Sequence, residues 1–258
     1  MILDYKNIAI HYTVSGKGSA VVLLHGFLET IAMWKYLETE LSQNHCVICI
    51  DLLGHGKTDC LSYVHTMENM ADAVFAVLNH LKIDKAHIIG HSMGGYVALA
   101  MAEKQPQLFK GLCLMNSSFE ADDKDRKILR ARANEMAKTH FETLVEMSFA
   151  NLFASESRAK FLDELDAALQ IALKTPVQGY IAASEGMRQR PDYFETFKNL
   201  NADKLIIIGL KDWIINIQKL KAKLINTDIK YEELSEGHMS HIENKSELSY
   251  LLNLFVEK

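Results

Sequence analysis

Ser92 lies in Gly90-His91-Ser92-Met93-Gly94, with Gly95 following. A serine hydroxyl is a weak nucleophile until a base takes its proton, so the surroundings decide whether it reacts. The pentapeptide closes the apolar run Ala86–Gly90 and opens the helical pattern Tyr96–Ala102. A strand that turns abruptly into a helix crowds its apex, and glycines two before and two after the serine relieve that crowding. The turn lifts the hydroxyl clear of the sheet, at the positive end of the helix. The plainer alternative is a glycine-rich turn whose serine merely caps the helix.

A base for Ser92 should stand at the end of another strand, where sites collect in open parallel sheets. Of the 11 histidines, His238 fits best: it follows the strand-like Asp228–Glu233 in Glu236-Gly-His-Met-Ser240. His241 competes, but it lies nearer the start of the last helix and reads as packed or solvated. The imidazole needs a carboxylate to fix its tautomer. Asp212 supplies one directly after the strand Lys204–Gly209, and the chain order Ser92, Asp212, His238 suits a nucleophile elbow. After the strand Gly111–Asn116, the residues Asn116, Ser117 and Ser118 cannot carry the charge, and Glu120 already belongs to the following helical block. Asp51 precedes a tight turn, where a short acid bonds backbone amides. A tetrahedral oxyanion needs two convergent N–H donors. Met93, next to the nucleophile, offers one, and Phe27 in His25-Gly26-Phe27 offers the other, with His25 as a brace for that loop.

Other constellations fall away. Cys46 and Cys49 lie three apart on one strand and face opposite sides, so they share neither a metal nor a disulfide; Cys60 and Cys113 read as thiols. His238-x-x-His241 lacks the internal Glu and third ligand of a zinc site. Asp122-Asp-Lys-Asp125 lacks the glycine and terminal Glu of a calcium loop and reads as a solvated charge run that starts a helix. With 28 Lys+Arg against 33 Asp+Glu, net −5, there is no electrostatic footprint for nucleic acid or an anionic membrane. The start of the chain shows no signal peptide and no run reaches membrane-span length, so a cytoplasmic location is expected.

The elements that must hold these residues are legible in outline. Ala20–His25, Cys46–Asp51, Ala86–Gly90, Gly111–Asn116 and Lys204–Gly209 are short, continuously apolar runs, as expected of strands buried on both faces of a parallel sheet. Between them, Met67–Lys82 repeats apolar residues at helical spacing behind a capping Thr66, and Asn244 with Glu247 stands at capping-box spacing before the last helix. Strand and helix alternating argue an α/β class. The alternation stops between Ser118 and Arg190, where only helical patterns occur; one of them runs Leu129, Ala133, Met136, Ala137, His140, Leu144. This block reads as an insertion: residues 1–117 and 190–258 form the core and 118–189 the insertion. Met136, Met147, Phe149, Leu152, Phe153 and Met187 are its apolar residues from which a wall could be built, none assigned to the site.

His25-Gly26-Phe27, Asp51-Leu-Leu-Gly-His-Gly56, Gly90-His-Ser-Met-Gly-Gly95, Gly209-Leu-Lys-Asp212 and Gly237-His238 follow the order of the α/β-hydrolase superfamily, which the chain resembles over nearly its whole length outside the insertion. The resemblance implies an α/β-hydrolase fold: an eight-stranded, mostly parallel sheet flanked by helices, with a helical cap between strands six and seven. It also implies a triad of Ser92, Asp212 and His238 with the amides of Phe27 and Met93 as oxyanion hole. Leu53 stands where many relatives carry Pro, and Tyr96 stands where relatives resembling the menaquinone-pathway lyase carry Arg. Serine at the nucleophile position argues against haloalkane dehalogenase or epoxide hydrolase chemistry.

The expectation is a serine hydrolase that needs no cofactor and no metal and cleaves a small-molecule ester, thioester or related acyl compound through an acyl-enzyme. Its partner is that small substrate, with no nucleic acid and no membrane insertion. The same triad could instead serve C–C bond hydrolysis, a lyase step or perhydrolysis, and the scaffold could serve as a non-catalytic ligand receptor. The sequence sets neither the substrate nor the oligomeric state.

Overall fold

Each apolar run becomes a strand because its alternate side chains find a separate core on each face of the sheet. The computed structural model describes residues 1–257; Lys258, the last residue of the expected core, lies outside them. In chain order the elements are β1 (Ile2–Tyr5), β2 (Ile8–Ser15), β3 (Ser19–Leu24), α1 (Lys35–Leu41), β4 (His45–Ile50), α2 (Met67–His80), β5 (Ala86–His91), α3 (Met93–Lys104) and β6 (Phe109–Met115). Then come α4 (Lys124–Phe149), α5 (Leu162–Ala172), α6 (Val177–Gln189), α7 (Phe194–Asn199), β7 (Asp203–Gly209), α8 (Ile217–Leu224), β8 (Lys230–Leu234), α9 (Ser240–Glu243) and α10 (Lys245–Val256). One eight-stranded sheet runs β1-β2-β4-β3-β5-β6-β7-β8. Strands β3 to β8 are mutually parallel, while β2 pairs antiparallel with both β1 and β4.

The alternation can be followed residue by residue. Val22, Leu24, Ile48, Ile50, Ile88, Leu112, Leu114, Ile206 and Ile208 face one core, with α2 and α3 over it. Val21, Leu23, Val47, Cys49, Ile89, Cys113, Met115, Leu205 and Ile207 face the other, under α1 and α10. Each such side chain taken fully out of water stabilises by about 1.5–3 kcal/mol before entropy is counted. Cys46 packs in the first core and Cys49 in the second, opposite sides as their spacing requires, and all four cysteines are free thiols. β1 and β2 do not stand out as apolar runs because they form the sheet's half-exposed margin, with burial alternating along β1.

Thr66 caps α2 by accepting the Asn69 N–H, as expected. The expected capping box before α10 does not form. Asn244 Oδ1 accepts the Glu236 N–H, and its Nδ2 donates to Glu247 Oε2 at 3.0 Å and to Ser235 Oγ. The side chain is spent bracing the loop that carries His238 and is not available to the helix amides.

Between β6 and β7 the described residues contain no strand, only α4, α5 and α6 before α7. Asp123 caps α4 through the Arg126 N–H, and α4 bends at His140, whose backbone leaves helical values (φ −137°, ψ 45°). A third apolar cluster lies beneath these helices and includes Ala137, Val145, Phe149, Phe153, Tyr180 and Met239. The helical spacing over this stretch mixes two faces: Leu129 and Met136 are exposed, while Ala137 is buried. Among the described residues no helix is long and apolar enough to cross a membrane.

Candidate active site

Strand β5 delivers Ser92 into a left-handed backbone conformation (φ 48°, ψ −113°), which a non-glycine residue adopts only under strain. The strain is held in place on three sides. The Ser92 N–H donates to Met115 O at 3.0 Å, and its carbonyl accepts from Gly95 N at 3.0 Å and Ser117 Oγ at 2.7 Å. A Cβ on Gly90 would meet the Gly94 carbonyl at 2.4 Å, and one on Gly94 would meet Leu24 O at 2.2 Å. Glycines are therefore required where the elbow folds back on itself and against β3.

Asp212 and His238 meet at the ends of β7 and β8. His238 Nδ1 lies 2.6 Å from Asp212 Oδ2, and Asp212 Oδ1 accepts the Ile214 N–H at 2.9 Å. Burial works against charge on Asp212, but His238 and the Ile214 and Asn116 donors outweigh it and hold the carboxyl below its ordinary range. Asn116 was set aside in the sequence because it cannot be the acid. In the fold its Nδ2 donates to Asp212 Oδ2 at 3.2 Å and to Gly237 O at 3.1 Å, so it ties the acid to the histidine loop. Its backbone sits in the left-handed region (φ 44°), which Asn tolerates better than most side chains.

Met93 follows Ser92 directly in the chain and Phe27 shares its cavity, and neither backbone N–H is donated to a protein acceptor among the described residues. The loop that carries Phe27 is fastened by a buried pair, Glu29 and His91, that sequence reasoning missed. Glu29 Oε2 accepts the Gly26 N–H at 2.6 Å and a proton from His91 Nδ1 at 2.7 Å. His91 Nε2 donates to the His238 carbonyl at 3.0 Å. Both partners of His91 are acceptors, so both ring nitrogens carry protons and the ring is an imidazolium. Burial opposes that charge, but Glu29 outweighs it and raises the pKa of His91. Burial likewise pushes the Glu29 carboxyl upward, and His91 overcomes it, bringing it to about 2. One ion pair thus joins the Phe27 loop, the elbow and the His238 loop.

Ser92 and His238 line one cavity of about 390 Å³, together with Phe27, Tyr96, Phe149, Leu152, Tyr180, Met187 and Met239. Of the apolar insertion residues named from the sequence, Phe149, Leu152 and Met187 reach this cavity; Met136 and Met147 face solvent and Phe153 packs below. No hydrogen bond joins Ser92 Oγ to His238 among the described residues, a pairing that in free enzymes often tightens only around substrate.

Two of the acids and histidines weighed in the sequence serve as loop braces. His25 braces its loop: Nδ1 donates to Gly26 O at 2.7 Å and Nε2 accepts the Leu52 N–H at 2.9 Å. Asp51 accepts the amides of Ile31 and Lys57. His241 is packed, not catalytically paired; burial lowers its pKa to about 4. Its Nε2 lies 3.9 Å from Glu29 Oε1. Glu29, His91 and His241 are the one group of potential metal ligands whose donor atoms converge, within 4.8 Å, among the described residues. There His91 already spends both ring nitrogens, on Glu29 Oε2 and the His238 carbonyl. Asp122 departs from the solvated charge run: it is buried between Arg130 and Arg190.

Comparison with known proteins identifies the fold family. A family model described as the alpha/beta hydrolase fold matches residues 19–245. The chain is 25% identical over 255 residues to 3-oxoadipate enol-lactonase 1 of Acinetobacter baylyi, which covers 98% of this chain and 94% of that protein. It is 29% identical over 250 residues to the dihydrolipoyllysine-residue acetyltransferase component of the acetoin cleaving system of Pseudomonas putida; the match takes in 93% of this chain but 64% of that longer protein. Among solved structures, a thermophilic esterase from Thermogutta terrifontis with malate bound superposes with a TM-score of 0.90 at 28% identity, covering 97% of this chain and 93% of that one.

Proposed function

Since the chain belongs to the alpha/beta hydrolase fold family and is a hydrolase of that type, we propose that it cleaves a small-molecule ester, thioester or lactone through an acyl-enzyme on Ser92. The observation that carries this reading is the 2.6 Å contact of His238 Nδ1 with Asp212, beside a cavity that His238 shares with Ser92. Asp212 accepts the Nδ1 proton, which leaves Nε2 unprotonated and able to act as base. Ser92 Oγ attacks the acyl carbon as its proton passes to His238 Nε2. The oxyanion takes the N–H groups of Phe27 and Met93. The tetrahedral intermediate collapses as His238 protonates the departing alcohol or thiol, and a water activated by the same nitrogen releases the acid and restores Ser92.

Residues 118–189 act as a cap over residues 1–117 and 190–257 in this reading. Support comes from the cavity itself, which takes Ser92 and His238 from the sheet and Phe149, Leu152, Tyr180 and Met187 from the helices between β6 and β7. A lactone is an internal ester opened by the same steps, and the Acinetobacter baylyi relative is named for one. The test is turnover of p-nitrophenyl esters of graded acyl length. The wild type hydrolyses them and Ser92→Ala does not; undiminished hydrolysis by Ser92→Ala overturns the proposal.

A further inference from the structure

Two arginines of α4 line the same cavity, and the mechanism above uses neither. Arg126, Leu129, Arg130 and Ala133 recur at three and four along one face of α4, and all four line the cavity that holds Ser92 and His238. The rest of the lining is largely apolar. Its one carboxylate is Glu29, already neutralised by His91. An arginine facing a mostly apolar cavity is costly to desolvate, so its counter-charge matters.

Within the protein that counter-charge is incomplete. Asp122, with its side chain wholly buried, is shared: Arg130 Nε lies 2.5 Å from Oδ2, and Arg190 Nη1 lies 2.8 Å from Oδ1. Arg190 is further held by the carbonyls of Glu120 and Met187 and stacks on Tyr96, its guanidinium 3.9 Å from the ring centre. One carboxylate therefore serves two guanidiniums. Arg126 has no carboxylate partner among the described residues; its Nη2 donates to Ile214 O at 2.5 Å. Arg130 uses only Nε on Asp122, which leaves both terminal nitrogens without a protein acceptor among the described residues. The charge of Arg130 also reaches Tyr180, where it opposes the burial that raises the phenol's pKa. Tyr180 in turn packs on Phe27, their ring centres 4.9 Å apart, so the arginine charge bears on the same lining as the Phe27 loop.

From this arrangement we infer that Arg126 and Arg130 form a carboxylate-binding end of the cavity, and that the substrate is an ester or lactone bearing a carboxylate remote from the bond that is cut. A guanidinium with free terminal N–H groups matches a carboxylate in charge and in geometry. The largely apolar remainder of the lining suits the carbon chain that joins the acid to the acyl group. This inference rests on the Ser92 hydrolase reading and narrows its substrate class.

The test compares two esters of equal chain length, the mono-p-nitrophenyl ester of hexanedioic acid and p-nitrophenyl hexanoate. In the wild type kcat/KM favours the acid ester, and in Arg126→Met and Arg130→Met the ratio of the two kcat/KM values falls at least tenfold, mainly through KM of the acid ester. Arg126→Met breaks no ion pair of the fold, so it keeps the test open should Arg130→Met destabilise the chain by stranding Asp122. A ratio that favours the neutral ester in the wild type, or one unchanged in Arg126→Met, overturns the inference. If neither ester is turned over, the hydrolase reading fails by itself, and the arginine end is then judged by binding. Hexanedioate that raises the melting temperature of the wild type but not of Arg126→Met supports it, and no shift in the wild type overturns it.

Discussion

Replacing Glu29 with Gln removes one charge from a buried ion pair while keeping the shape of the side chain. The Glu29 carboxyl titrates at about 2 in the fold, against an ordinary value of 4.5. At about 1.4 kcal/mol per pH unit, that depression corresponds to roughly 3 kcal/mol of folding stability. A depressed acid contributes this in full above 4.5 and loses it as the pH falls from there through 2. The Gln variant has no such contribution, so at pH 7 it should be less stable by roughly 3 kcal/mol, the low end for removing one member of a buried pair. The loss stays at the low end because Gln can still accept the Gly26 N–H. Urea unfolding at pH 7, followed by circular dichroism, measures it. His91→Asn and the double variant complete a cycle: the double variant should lose little more than either single one, because both changes break the same pair. The pair also fastens the Phe27 loop to the His238 carbonyl, so kcat on a p-nitrophenyl ester should fall in Glu29→Gln with KM little changed. Stability within about 0.5 kcal/mol of the wild type, or strictly additive losses in the cycle, refutes the reasoning.

Gly179 of α6 packs on the Gly54 turn, where an added Cβ would meet Gly54 O at 2.1 Å. Alanine normally favours a helix over glycine by about 1 kcal/mol, yet Gly179→Ala should lower stability in a urea melt and raise KM by displacing Tyr180, Ser184 and Met187 from the cavity. Burial lowers the pKa of His55 to about 3 and of His65, His87 and His241 to about 4, so all four are neutral in the fold near pH 6. Each depressed histidine contributes stability above 6.5 that is lost as the pH falls, by up to about 1.4 kcal/mol per pH unit; the urea midpoint should therefore drop steadily from pH 6.5 to pH 4.5. Asp212→Asn should keep the fold and lower kcat by roughly 10³–10⁴-fold, since Asn can donate to His238 Nδ1 and stabilise the wrong tautomer; a loss under tenfold in ester hydrolysis counts against the role given to Asp212.

Ser92 and Asp212 are candidates in the sequence because each closely follows a continuous apolar run, and such runs mark where a parallel strand ends. His238 follows the largely exposed β8, whose only sequence signal is the short strand-like stretch before Gly237. The five central strands were legible from their continuous runs. β1 and β2 were not, since a strand buried on one face at the margin carries no continuous run. The residues that support the site were hidden more deeply. Glu29 and His91 are 62 residues apart, Asn116 and Asp212 are 96, and nothing in local spacing records that their loops converge. A carboxylate three residues beyond Gly26 in an otherwise apolar loop was the one available signal for Glu29. Arg126 and Arg130 were equally silent, because an arginine on a helix reads as solvated until the sheet beneath it is in place.

The central claim is that Ser92 becomes covalently acylated with His238 as its base. Incubation with a fluorophosphonate, read by intact mass and then by peptide mapping, tests it most directly. The expected result is one adduct per chain on Ser92, absent from Ser92→Ala and formed far more slowly in His238→Ala. An adduct that persists in Ser92→Ala, or one that maps to another residue, contradicts it.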